Sequence, residues 1–167
     1  MVIDPIPPVI DPARFARDEA RLSGMLSLTR LPRLADVLFD QQGNINYELR
    51  GYTNANGQPA LHLSVGGDLA VRCQRCLERL PLHIDVTRDL VLVAGARETE
   101  PVDDEDDDTD TIPGVTALDV LDLVEQEVVL SLPMAPRHPE AACEAQLAAQ
   151  TGTATSPFSA LAGLKKH

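Results

Sequence analysis

Aromatic residues make up only 3% of this chain, and tryptophan is absent. A core organised around large ring systems is therefore excluded, and so is a rank of aromatic platforms for stacking bases. The interior has to be built from Leu, Val, Ile and Ala, within an ordinary hydrophobic content of 44%. Cysteine is scarce too, with three in 167 residues. An odd count cannot pair completely, so a disulfide scaffold is not expected. No apolar run approaches the roughly 20 residues of a bilayer-crossing helix. The start, Met1-Val2-Ile3-Asp4-Pro5, has none of the character of an export signal. A cytoplasmic location with no membrane partner is the expectation.

Catalytic signatures are also missing. There is no glycine-rich phosphate loop, no H-E-x-x-H and no G-x-S-x-G. Cys143 or Cys76 with His83 or His138 would supply a nucleophile and base, but no orienting group or oxyanion hole accompanies them. An enzyme is not expected, and no small-molecule substrate is evident.

The net charge of −12 is unevenly spread. Residues 1–97 carry eleven basic and eleven acidic side chains and net to zero. Residues 98–167 carry three basic and fifteen acidic ones, so the whole excess lies there. A neutral, arginine-bearing half leaves RNA contact open, whereas the acidic half suits a basic protein partner. Nine acids fall within residues 98–110. Such a run repels itself and reads as a mobile solvated loop over about 98–112. A calcium loop would need an ordered Asp-x-Asp-x-Asp-Gly spacing that is not there.

Hydrophobic spacing supplies the fold. Ile45, Tyr47 and Leu49 alternate with polar neighbours. After a turn at Asn54-Ala55-Asn56-Gly57, Leu61, Leu63, Val65, Leu69, Val71 and Cys73 keep odd positions. Leu82, Ile84, Val86, Leu90 and Leu92 keep even ones. Period two over such lengths predicts long half-buried antiparallel strands, with a bulge or bend at Gly66-Gly67. Asp11-Pro12 predicts a helix start, with the helix reaching Leu22. Leu26 and Leu28 suggest a strand, and Arg33 to Leu38 a helical turn. Thr116 to Asp119 resembles a capping box opening a helix to Leu132. Leu118, Leu121, Val124, Val128 and Leu132 would form its apolar face, and Asp119, Asp122, Glu125, Gln126 and Glu127 a solvated or partner-docking back. The fold class expected is α+β: a curved antiparallel sheet or partial barrel of five or six strands with flanking helices. Residues 1–150 would form one domain. Residues 151–167 would be a linker and a short amphipathic tail bearing Phe158, Leu161 and Leu164.

Cys73 and Cys76 form a C-x-x-C between the two long strands, and His138 and Cys143 form a second cluster after the helix. Four such ligands suit a zinc ion. Packed reduced thiols or a redox dithiol are the alternatives, although a thioredoxin-like site would place the motif in a βαβ unit. Arg72, Arg75 and Arg79, with Arg88 nearby, are the densest basic cluster. They suit phosphate recognition or, alternatively, pair with Glu78, Asp85 and Asp89 at the surface.

Taken together, Val71-x-Cys73-Gln74-Arg75-Cys76, the run from Leu121-x-Leu123-Val124-Glu125-x-Glu127-Val128 to Leu132-Pro133 with Pro136, His138 and Cys143, and the ending Ser156-Pro157-Phe158-x-x-Leu161-x-x-Leu164-Lys165 resemble the YceD family of bacteria and chloroplasts. The resemblance implies a non-enzymatic role in accumulation or processing of the large ribosomal subunit's (23S) RNA precursor, and no catalytic residue. The partner expected is that RNA or a basic ribosomal protein. An acidic protein-binding module without RNA contact is the second reading, and a zinc or thiol redox module the third.

Overall fold

Strict alternation along residues 44–93 lays down the centre of the molecule. In the computed structural model, which describes residues 8–93, 110–114 and 117–144, three long strands run antiparallel: β3 (Asn44–Thr53), β4 (Pro59–Arg72) and β5 (Arg79–Val93). Before them come β1 (Val9–Ile10), the helix α1 (Pro12–Arg17) and β2 (Arg21–Ser27). After them come β6 (Asp110–Pro113), β7 (Leu118–Asp119) and the helix α2 (Val120–Ser131). The main sheet has the order β2-β3-β4-β5-β6, and β1 pairs with β7 in a separate two-stranded ribbon.

The α+β class and the five-stranded sheet agree with the sequence. The sheet is open and mixed, because β6 joins β5 in parallel while every other neighbour is antiparallel. The end of the acidic run thus supplies an edge strand. The rest of that run, the capping residue Thr116 and the linker and tail lie outside the described residues.

Parity decides the two faces of the sheet. Leu61, Leu63, Val65, Leu69 and Val71 from β4 and Ile84, Leu90 and Leu92 from β5 are buried on one side, with Ile45, Tyr47 and Leu49 from β3. Both helices cover that side, α1 through Ala16 and α2 through Val120, Val124 and Val128. Each fully buried Leu or Val stabilises by roughly 1.5–3 kcal/mol. The opposite side is more exposed, although Ala60, Ala70 and Val91 on it are buried.

Four local expectations change. The helix at Pro12 ends at Arg17, and Leu22 belongs to β2. Pairing runs through Gly66 and Gly67 without an inserted residue, so there is no bulge. A Cβ on Gly67 would lie 2.6 Å from the Asn44 carbonyl oxygen, so that glycine permits close strand approach. The N-cap of α2 is Asp119 itself, which accepts from Leu121 and Asp122 N–H. Finally, Glu125 and Glu127 are buried rather than solvated. Glu125 accepts from the Arg33 backbone N–H at 2.7 Å and from Arg33 Nε at 2.9 Å, and Glu127 accepts from Arg88 Nε at 3.2 Å. Buried carboxylates require such partners.

Candidate metal centre

The end of the β4–β5 hairpin is a tight knuckle. Cys73 N–H donates to the Glu78 carbonyl at 3.0 Å, and Leu77 N–H donates back to the Cys73 carbonyl at 3.0 Å. This closure needs a left-handed residue after the second cysteine. Leu77 takes that conformation, with φ of 63°, where glycine would be expected. A second backbone tie holds the segment after α2 in place, because Gln74 N–H donates to the carbonyl of buried Pro136 at 2.8 Å. A turn in which Cys143 N–H donates to the Pro139 carbonyl then aims Cys143 back at the knuckle.

The two halves predicted from sequence therefore meet. One ligand atom from each of Cys73, Cys76, His138 and Cys143 lies within 4.8 Å of all the others. The three cysteines are free and buried. A tetrahedral ion bound by thiolate and imidazole separates two sulfurs by about 3.8 Å and a sulfur from a nitrogen by about 3.6 Å. Here Cys73 and Cys143 sulfurs are 3.5 Å apart, and Cys76 and Cys143 sulfurs 3.8 Å. His138 Nδ1 stands 3.3 Å from the Cys76 sulfur and 3.9 Å from that of Cys143. These four ligand atoms could hold a metal ion. His138 Nε2 lies 3.0 Å from the Arg79 carbonyl oxygen. Donating there fixes the proton on Nε2 and leaves Nδ1 as the lone pair facing the sulfurs.

The thiols also influence one another electrostatically. Burial pushes the Cys73 thiol up, but the backbone N–H groups of Cys76, Arg75 and His138 outweigh it and bring the pKa down to about 5. Cys143 is pushed up to about 11, first by burial and then by hydrogen bonds and charge from Cys73 and Cys76. A cation among these sulfurs would remove that mutual opposition.

The arginines expected beside the knuckle are dispersed and mostly engaged. Arg75 lies 3.6 Å from Glu140 and 3.8 Å from Glu144, Arg79 lies 3.1 Å from Asp40, and Arg88 bridges Glu127 and Asp110. Asp89 is instead engaged by His62, and Asp85 forms no ion pair with these arginines among the described residues. Arg72 is exposed, with its guanidinium 5.8 Å from the centre of the Phe39 ring and no carboxylate partner among the described residues. The carbonyls of Arg79 and Pro136, which orient the ligands, had no signature in the sequence. Backbone acceptors carry no residue-type signal.

A family profile described as large ribosomal RNA subunit accumulation protein YceD matches residues 61–165. The chain belongs to this family. The matched span runs from the start of the long hairpin through all four cluster residues. A relative of the same description from Haemophilus influenzae is 23% identical over 178 aligned positions, covering 96% of this chain and 97% of its own. No solved structure matches. The family's name places the chain in a ribosome-related role and implies an accumulation factor rather than a catalyst. Among the described residues no helix is long and apolar enough to cross a membrane.

Proposed function

We propose that this chain is a cytoplasmic, non-enzymatic ribosome-biogenesis factor that supports accumulation and processing of the large subunit's 23S RNA precursor. The observation that carries this reading is the family match over residues 61–165. Deleting or depleting the protein should lower large-subunit RNA or accumulate its precursor. Sucrose-gradient profiles and RNA blots read the outcome, and an unchanged profile removes the reading.

The ion suited to Cys73, Cys76, His138 and Cys143 is zinc. Its preference for tetrahedral thiolate and imidazole ligands matches the spacing of these atoms. With four protein ligands no coordination position is left for a substrate, so its contribution is structural. These residues would staple the segment after α2 to the end of the β4–β5 hairpin. Residues 1–150 would then behave as one domain, with 151–167 as linker and tail.

Arg72, Arg75, Arg79 and Arg88 are proposed contacts to RNA or a partner protein. Arg72 is the most available of them, because the other three would have to release a carboxylate. A second reading is favoured by the charge distribution. With the whole excess of −12 in residues 98–167, the chain would act as an acidic chaperone for a basic ribosomal protein. Charge reversal at Arg72, Arg75 and Arg79 separates the two, since pre-ribosome association that survives it favours the protein-binding reading.

A further inference from the structure

The solvent face of the main sheet carries a row of residues that neither the fold nor the metal centre uses. Arg21 on β2 is the register partner of Arg50 on β3, Arg50 is that of His62 on β4, and His62 is that of Asp89 on β5. The row spans four strands, about 14 Å at the usual strand spacing. Both arginines are exposed, and among the described residues neither guanidinium has an ion pair or hydrogen bond. Like charges set directly opposite one another destabilise a sheet. The arrangement makes sense if an anion completes it.

The other end of the row is organised around an aromatic ring. Tyr52 lies two residues beyond Arg50 on the same face, about 7 Å away along the strand. Its hydroxyl donates to Asp89 Oδ1 at 2.8 Å, and His62 Nδ1 meets the same oxygen at 2.9 Å. Asp89 is thereby occupied in fixing the tyrosine and the imidazole. Arg50, Tyr52, His62 and Asp89 line a shallow cavity of about 250 Å³. On the side of Arg50 away from Tyr52, Glu48 lies two residues along β3 on the same face, and Asp85 further on across β4.

We infer that this row is a binding site for single-stranded RNA, with backbone phosphates on Arg21 and Arg50 and an unpaired base on Tyr52 in the cavity beside His62. Arginine forks suit phosphate, and a tyrosine within one nucleotide's reach suits a splayed base. An acidic peptide would use the arginines and leave the ring idle. The inference rests on the ribosomal-RNA reading above and moves the principal contact from the hairpin end to the open face of the sheet.

The test is fluorescence anisotropy of the full chain with a short labelled single-stranded RNA of mixed sequence, over a range of salt. Arg21→Gln with Arg50→Gln should weaken binding at least tenfold and reduce the salt slope by about 1.4, the share of two single-strand phosphates. Tyr52→Thr should weaken it about five- to a hundredfold, while Tyr52→Phe keeps the ring and most of the affinity. These side chains are surface groups, and circular dichroism confirms that each variant is folded. Unchanged binding by the double variant overturns the site, as does equally tight binding of poly-glutamate or inorganic phosphate. If the wild type binds no RNA although its depletion lowers large-subunit RNA, the site falls and the ribosomal reading stands. If binding depends on Arg21 and Arg50 but depletion changes no ribosomal RNA, the site stands and that reading falls.

Discussion

His138 is held from both sides, with Nε2 3.0 Å from the Arg79 carbonyl and Nδ1 3.3 Å from the Cys76 sulfur. The first contact orients the ring and the second aims it. A histidine that merely filled space would have no reason to present a free lone pair to three buried sulfurs. Protein purified without chelator should therefore carry one zinc per chain by elemental analysis. Cys143→Ser or His138→Ala should lose that metal on dialysis against a chelator concentration that leaves the wild type loaded. Metal-free wild type should melt at a lower temperature. A metal-free preparation that melts like the untreated protein would mean the four residues are packing alone.

Leu77 bears on the same knuckle. It occupies the left-handed region and is 59% exposed, so its bulk stabilises little while its Cβ is strained. Leu77→Gly should raise the unfolding free energy by about 1 kcal/mol, net of the backbone freedom that glycine adds to the unfolded chain. Urea denaturation measures this. A loss of stability instead would show that the leucine packs against a partner more than it strains the turn.

What the sequence revealed followed from how repetitive each signal was. Alternation over residues 45–92 places the β3, β4 and β5 faces correctly, because a one-residue slip would expose every apolar side chain. The C-x-x-C and the His138–Cys143 cluster are visible as ligand types, but what joins them, the Gln74–Pro136 backbone tie and the contact of His138 with the Arg79 carbonyl, runs through backbone acceptors that carry no residue-type signal. The face of α2 departs from its sequence pattern for a physical reason. Glu125 and Glu127 look solvated by residue type, yet Arg33 and Arg88 from distant elements neutralise them in the interior. The parallel strand β6 escapes notice because it is only four residues long, starts at the last acid of the run and ends at Pro113, too short to show a period. The early end of α1 leaves no mark in the sequence, because residues up to Leu22 remain compatible with a helix. The chain leaves it through Glu19, a non-glycine residue at φ of 48°.

The Arg33–Glu125 pair gives the third prediction. Glu125 is only 6% exposed through its side chain, whereas Arg33 remains 44% exposed. Arg33 also reaches Asp122 at 2.6 Å, so the guanidinium ties one turn of α2 to the segment before β3. Removing the carboxylate leaves the Arg33 backbone N–H without its acceptor and the guanidinium with one partner fewer. Glu125→Ala should cost about 2 kcal/mol, below the range for a fully buried pair because solvent reaches the arginine. Chemical denaturation of Glu125→Ala beside Glu125→Gln measures it. A variant as stable as the wild type would show that α2 is held by its apolar face alone.

On the open face of the sheet, Asp89 predicts an acid dependence. The hydrogen bond from His62 holds its carboxyl below the usual carboxylate range, burial opposes this, and the Tyr52 hydroxyl adds to the lowering. A carboxyl whose folded pKa is depressed binds its proton more readily in the unfolded chain. It therefore contributes stability above its unfolded value of about 3.9 and loses it as pH falls through the folded value. Asp89→Asn cannot take part in this titration. The gap in urea midpoint between wild type and Asp89→Asn should be largest near neutral pH, where both interactions with the carboxylate are intact, and should shrink below about pH 4. A gap that stays constant through that range would show that Asp89 serves as a hydrogen-bond acceptor of unshifted acidity, and that the Tyr52–His62 pair is held by packing instead.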